Sequence, residues 1–278
     1  MGLLFRSVAF ATDFSASLSA GRYAALFAEH FDAELIVVHA FRLVAAAQEA
    51  EALQHSHSAQ REQLESLLAE TAQGLTPPAP RSTTVLGEGD PVEVIRDVSR
   101  RHEPSLIVLA THSGSAMERH ILGSTAEEIL RAIPGPILTV GPQVAAPPRL
   151  KLQRILYATD FTAAAAHAAP YAFELASAFR SAIDVLHVVA SQDSVEKQAL
   201  LDALDRLVPD DARQCCRPQG FVEVGDTREC IVRHATERGA DLIVLGAHPH
   251  SHLAMHFRTG PAFQVIVQAP CPVLTICL

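Results

Sequence analysis

Short, unbroken apolar runs alternate along this chain with longer stretches whose apolar positions recur three and four residues apart. In the first half the runs are Val8–Ala11, Leu35–His39, Thr83–Leu86, Leu106–Ala110 and Ile137–Val140, and they read as strands. Between them lie Ser15–His30, Val44–Leu75, Pro91–His102 and Ser124–Ile133, which read as helices. Ser15 or Ser17 is available as an N-cap, and Pro91 stands in a first helical turn, where its missing N–H leaves nothing unsatisfied. Strands that are apolar throughout and separated by helices predict a parallel sheet covered on both faces. Right-handed crossovers then give an open, doubly wound α/β domain.

The pattern occurs twice. Ala-Thr-Asp-Phe at 11–14 returns at 158–161, and LIVVHA at 35–40 is matched by IDVLHV at 183–188. GEGDPVEVI at 87–95 is matched by EVGDTRECI at 223–231, SLIVLATH at 105–112 by DLIVLGAH at 241–248, and IPGPILTV at 133–140 by APCPVLTI at 269–276. Blocks matched in the same order mean an internal duplication. The Pro- and Ala-rich stretch 141–153 reads as a linker, so the expected domains are 1–145 and 152–278, with a shorter middle helix, Ser194–Leu207, in the second.

Composition narrows the function. The chain has 278 residues, 49% of them apolar, and a net charge of −9, which argues against a non-specific nucleic-acid binder. No apolar run reaches membrane-spanning length. The start meets Asp13 too early for a signal peptide, and Arg6 breaks the myristoylation pattern. Cys215, Cys216, Cys230, Cys271 and Cys277 form no CxxC. An odd count without a secretion signal fits reduced thiols in the cytoplasm, and they read as small core residues. Lysine occurs only at 151 and 197, so no P-loop exists in the first half, and GxSxG and HExxH are absent throughout. No catalytic residue is assigned.

In an open doubly wound sheet a ligand sits beyond the carboxyl ends of the strands, where the strand order reverses. Two loops carry suitable chemistry there. One is Ala11-Thr12-Asp13. The other runs from Thr111-His112-Ser113-Gly114 to Gly123-Ser124-Thr125 at a helix start. A carboxylate at Asp13 can accept from ribose hydroxyls or an exocyclic amine, and N–H groups at Gly123–Thr125 can hold phosphate. The alternative for Asp13 and for Asp160 is a helix-capping carboxylate. His39 and His187 lie inside apolar strands and read as hydrogen-bonded core histidines, while Arg119 and His120 supply positive charge on the loop. His252 and His256 share a helical spacing within the His248–His256 cluster, but no third ligand stands at the right distance, so no metal site is assigned.

ATDFS after the first strand, GDP before a helix, and a strand followed by a degenerate G-x2-G-x9-G-[ST] loop resemble the universal stress protein family, and the resemblance covers nearly the whole chain twice. It implies two flavodoxin-like domains of the adenine nucleotide alpha hydrolase type, each with strand order 3-2-1-4-5. It also implies ATP binding through that loop, with Mg as a companion left open, and a role in stress response with a protein partner. The family's fifth strand pairs across a dimer interface, which a tandem chain can form internally, and a further homodimer stays open. The first-half loop is Ala110-x2-Ser113-x9-Gly123-Ser124, and the second is Gly246-x2-Pro249-x9-Thr259-Gly260. By this match Ala11, Asp13, Ala40, Ala110, Ser113, Gly123, Ser124 and Thr125 line the main site. Asp160, Val188 and Gly246 mark a weaker second one. A scaffold without nucleotide and a slow ATPase are the competing readings.

Overall fold

The computed structural model describes residues 5–14, 18–42, 50–75, 81–102, 105–111, 123–141, 144–147, 149, 151–191, 197–247 and 261–278. The first half runs β1 (Ser7–Ala11), α1 (Leu18–Phe31), β2 (Glu34–Phe41), α2 (Ala50–Gly74), β3 (Arg81–Glu88), α3 (Pro91–Arg101), β4 (Ser105–Ala110), α4 (Ser124–Ala132) and β5 (Gly135–Val140). The second runs β6 (Arg154–Ala158), α5 (Ala163–Phe179), β7 (Ala182–Val189), α6 (Lys197–Leu207), α7 (Asp210–Cys215), β8 (Arg217–Val224), α8 (Thr227–Arg238), β9 (Leu242–Ala247), α9 (Pro261–Gln268) and β10 (Val273–Cys277). Among the described residues no helix is long and apolar enough to cross a membrane.

Each half has the expected 3-2-1-4-5 order, but the two half-sheets run on as one ten-stranded sheet, β3-β2-β1-β4-β5-β10-β9-β6-β7-β8. Every pairing is parallel except the central one, where β5 and β10 run antiparallel with Thr139 opposite Val273 and Gly135 opposite Cys277. Thr139 Oγ1 donates to Val273 O (3.1 Å) and Cys277 Sγ to Leu130 O (3.2 Å), so side chains also cross the seam. Because the strand direction reverses there, the carboxyl ends of the two half-sheets point to opposite rims.

Alternate strand residues enter opposite cores. Val8 and Phe10 face the layer of α1, α2, α5, α6 and α7, while Ala9 faces that of α3, α4, α8 and α9. Both cores continue across the seam. His30 of α1 stacks on Phe179 of α5 at 3.9 Å, and Phe31 meets the same ring edge-on at 6.1 Å.

The repeated Gly-Asp pair now has a physical reason. Gly89 and Gly225 adopt φ of +133° and +144°, a backbone open to glycine, as the chain leaves a strand. The aspartate that follows caps the next helix: Asp90 accepts from Val92 N (2.9 Å) and Asp226 from Glu229 N (3.0 Å). Beneath α8 a charged cluster gathers around two buried groups, Asp184 and His234. Asp184 of β7 is fully buried and accepts from Arg154 (2.8 Å), Arg238 Nε (3.0 Å) and His234 Nε2 (3.3 Å). The other ring nitrogen of His234 lies 2.7 Å from Glu223 Oε1.

The expected strand and helix spans hold in outline. β2 and β3 pair on to Phe41 and Glu88, beyond their apolar runs. The short helix α7 was not expected. The candidate caps Ser15 and Ser17 and the start of the long helix, residues 44–49, lie outside the described residues. Of the cysteines read as core, Cys216, Cys230, Cys271 and Cys277 are buried, but Cys215 is exposed because it ends α7 at the surface.

Candidate functional site

The loop after β1 is shaped by three residues of the repeat. Thr12 Oγ1 accepts from Phe14 N (3.0 Å), which turns Phe14 into the left-handed region at φ +62°. Its ring then lies 4.2 Å from that of His39. His39 Nδ1 is 2.8 Å from Thr12 O, and since a carbonyl only accepts, Nδ1 carries the proton. The second half repeats the device: Phe161 N donates to Thr159 Oγ1 (3.1 Å), Phe161 has φ +61°, its ring is 4.7 Å from His187, and His187 Nδ1 is 2.8 Å from Thr159 O. Left-handed backbone is unfavourable for a bulky residue, so the hydroxyl and the ring contact hold it there. The two histidines are hydrogen-bonded as expected, though half-buried at strand ends instead of deep in the core. The bracing roles of Thr and Phe were missed in the sequence, although their recurrence beside the aspartate was the available signal.

Asp13 stands exposed on this fixed loop. Its counterpart Asp160 accepts from Thr162 N (2.9 Å) and Thr162 Oγ1 (2.6 Å), and Thr162 in turn caps α5. Asp160 thus holds the residue that caps α5, and Thr162 Oγ1 supplies the cap itself, accepting from Ala165 N (3.4 Å).

After β4, Thr111 N donates to Val140 O (3.1 Å), and Gly123 N donates to Thr111 O (3.0 Å). That bond brings the start of α4 back to the end of β4. Gly123 is the N-cap and offers no side-chain bond to the first turn, while Ser124 and Thr125 are exposed. β1 pairs with β2 on one side and β4 on the other, so the strand ends carrying Ala11, Ala40 and Ala110 adjoin. Asp13, Gly123, Ser124 and Thr125 belong to the same rim. Arg42, one residue past β2, pairs with Asp90 (2.5 Å) and places a cation there, which the sequence reading did not pick out. Ser113, His112, Arg119 and His120 lie outside the described residues.

On the opposite rim a cavity of about 300 Å³ gathers Asp160, Val188 and Gly246 with Thr159, Thr227 and Phe263. Gly246 has a packing reason to be glycine: a Cβ would fall 2.1 Å from Ala164 O and 2.5 Å from Ala165 N, the backbone that opens α5. Among the described residues no three His, Cys, Asp or Glu side chains gather as metal ligands, and the His248–His256 cluster lies outside them.

The model of the universal stress protein family matches residues 4–141 and again 151–276. A universal stress protein from Archaeoglobus fulgidus aligns with 98% of this chain and 96% of its own length, at a TM-score of 0.76 and 19% identity. A functionally unknown protein from Pseudomonas aeruginosa aligns with 99% of this chain and 93% of its own, at a TM-score of 0.65 and 17% identity. At these identities the likeness is one of fold. No curated protein matches the chain.

Proposed function

The chain belongs to the universal stress protein family, and from that premise we propose that it binds ATP in its first half and acts as a cytoplasmic regulatory module in a stress response. The observation that carries this reading is the rim where β1 and β4 end. There Gly123-Ser124-Thr125 opens α4 without a side-chain cap, and Asp13 stands on a loop braced by Thr12, Phe14 and His39. The first N–H groups of a helix have no partner within it, and with the helix dipole they attract an anion where no lysine is at hand. In this reading Gly123, Ser124 and Thr125 hold phosphate, while Asp13 and the Ala40 backbone meet the nucleoside. Ala11, Ala110 and Ser113 complete the lining.

The second half forms the weaker site. Its cavity has the volume of a small ligand site, but Asp160 is already engaged with Thr162, and α9 opens on Pro261, which has no N–H to offer. Nucleotide in the first site favours one conformation of the flanking loops, which a protein partner reads. No turnover is assigned.

Titration calorimetry of ATP into the full chain tests this. Saturable binding is expected, weakened about tenfold by Asp13→Ala, the equivalent of one hydrogen bond of about 1.4 kcal/mol. Asp160→Ala should change it less. Binding that fails to saturate at millimolar ATP overturns the proposal in favour of a nucleotide-free scaffold.

A further inference from the structure

Cys215 ends α7, and Cys216 follows as its C-cap with extended backbone (φ −109°, ψ 171°). Successive side chains diverge by about 100° on a helix and point to opposite faces of a strand, so sequence neighbours do not ordinarily meet. Here the chain changes from helix to strand between the two residues, and both sulfurs turn to one side, 3.4 Å apart. Ser177 of α5 faces them, its Oγ 3.3 Å from the Cys215 sulfur and 3.8 Å from that of Cys216. Both thiols are free, one exposed and one buried. They lie at the foot of β8, an end strand of the sheet, and take no part in the nucleotide site.

We propose that Cys215 and Cys216 form a chelating dithiol site for a trivalent, sulfur-seeking metalloid oxide, of which an arsenic(III) arsenoxide is the type. An atom about 2.3 Å from each sulfur, the length of a zinc–thiolate bond, spans their 3.4 Å separation at an angle of about 95°. That suits a pyramidal three-coordinate centre and is narrower than the tetrahedral geometry zinc takes. A zinc site also needs further ligands, and among the described residues no third one joins the pair. A disulfide needs the sulfurs to close to about 2.05 Å, in a segment whose Cys216 N–H is tied to Ala212 O at 2.8 Å. The metalloid fits the separation as it stands.

The chemistry balances without a redox step. One arsenic–sulfur bond forms at exposed Cys215 and a second at Cys216. The arsenic–oxygen bond breaks, the oxide oxygen leaves as water with both thiol protons, and arsenic stays trivalent.

Reduced full-length protein is titrated with phenylarsine oxide and followed by intact mass and peptide mapping. One adduct per chain is expected on the peptide holding Cys215 and Cys216, resistant to excess β-mercaptoethanol and removed by dithiothreitol. Cys215→Ser, at an exposed position, and Cys216→Ser should each leave binding about 100-fold weaker and monothiol-sensitive, the loss of a chelate. Cys230→Ser should keep the dithiol-selective adduct. The proposal fails if the native chain forms no such adduct, if both serine variants retain it, or if Cys230→Ser removes it.

Discussion

A methyl group at Gly246 would stand 2.1 Å from the Ala164 carbonyl oxygen, and backbone cannot swing aside as a side-chain tip can. Gly246→Ala should therefore destabilise the fold by about 1–3 kcal/mol, the range for overpacking, seen as a lower urea midpoint at unchanged slope. His234 carries a pH dependence. Burial pulls its pKa down, but hydrogen bonds to Asp184 and Glu223 outweigh that and hold it above the ordinary histidine value. Burial likewise pushes both carboxylates up, and their bonds to His234 and to Arg238 or Arg233 hold them below their usual range. The histidine's contribution is complete below its unfolded value of about 6.5 and is lost as pH rises through the raised folded value. The carboxylates' contribution is present above their unfolded values near 4 and is lost as pH falls through the depressed ones. The cluster thus favours mildly acidic solution. Urea midpoints should decline from pH 6 to 8, with a shallower slope in His234→Gln; equal slopes would contradict this. The sequence shows Asp184 as a lone charge in an apolar run, but nothing in it connects that charge to Arg238, which arrives through the packing of α8.

At the scale of elements the alternation of apolar runs and helical stretches was legible, because the inner strands are buried on both faces and each helix shows one face to the core, while the end strands β3 and β8 are largely exposed. What escaped was local. β2 and β3 run beyond the expected spans because backbone pairing continues to Phe41 and Glu88. The six residues of α7 are too few to show a period. The Gly-Asp block was visible as a recurring motif, and its meaning, a turn followed by a cap, comes from the backbone angles. Asp226→Ala should cost about 1 kcal/mol through loss of the α8 cap, with most of it recovered in Asp226→Asn. Thermal or urea unfolding of the two variants measures the difference. Within the candidate site, Asp13 and Gly123–Thr125 could be picked out as chemistry on loops, but the bracing by Thr12, Phe14 and His39 could not, since a left-handed phenylalanine leaves no mark in a hydrophobicity pattern.

For the whole molecule, the duplication gave two like units, and the apolar runs at 137–140 and 273–276 read the same whether paired with each other or left at an edge. The internal pair that the family resemblance implied is present as β5 against β10. Because both cores continue across it, the halves should unfold together in one transition, with fluorescence and circular dichroism coincident. Phe179→Ala, which removes the ring under His30, should lower the stability of the entire chain by about 2–3 kcal/mol without splitting that transition; two separate transitions would show independent units. The reversal at β5 and β10 has a geometric consequence. Two rims that face away from each other across the width of one slab are out of reach of a single small visitor, so a macromolecule docked over one leaves the other accessible.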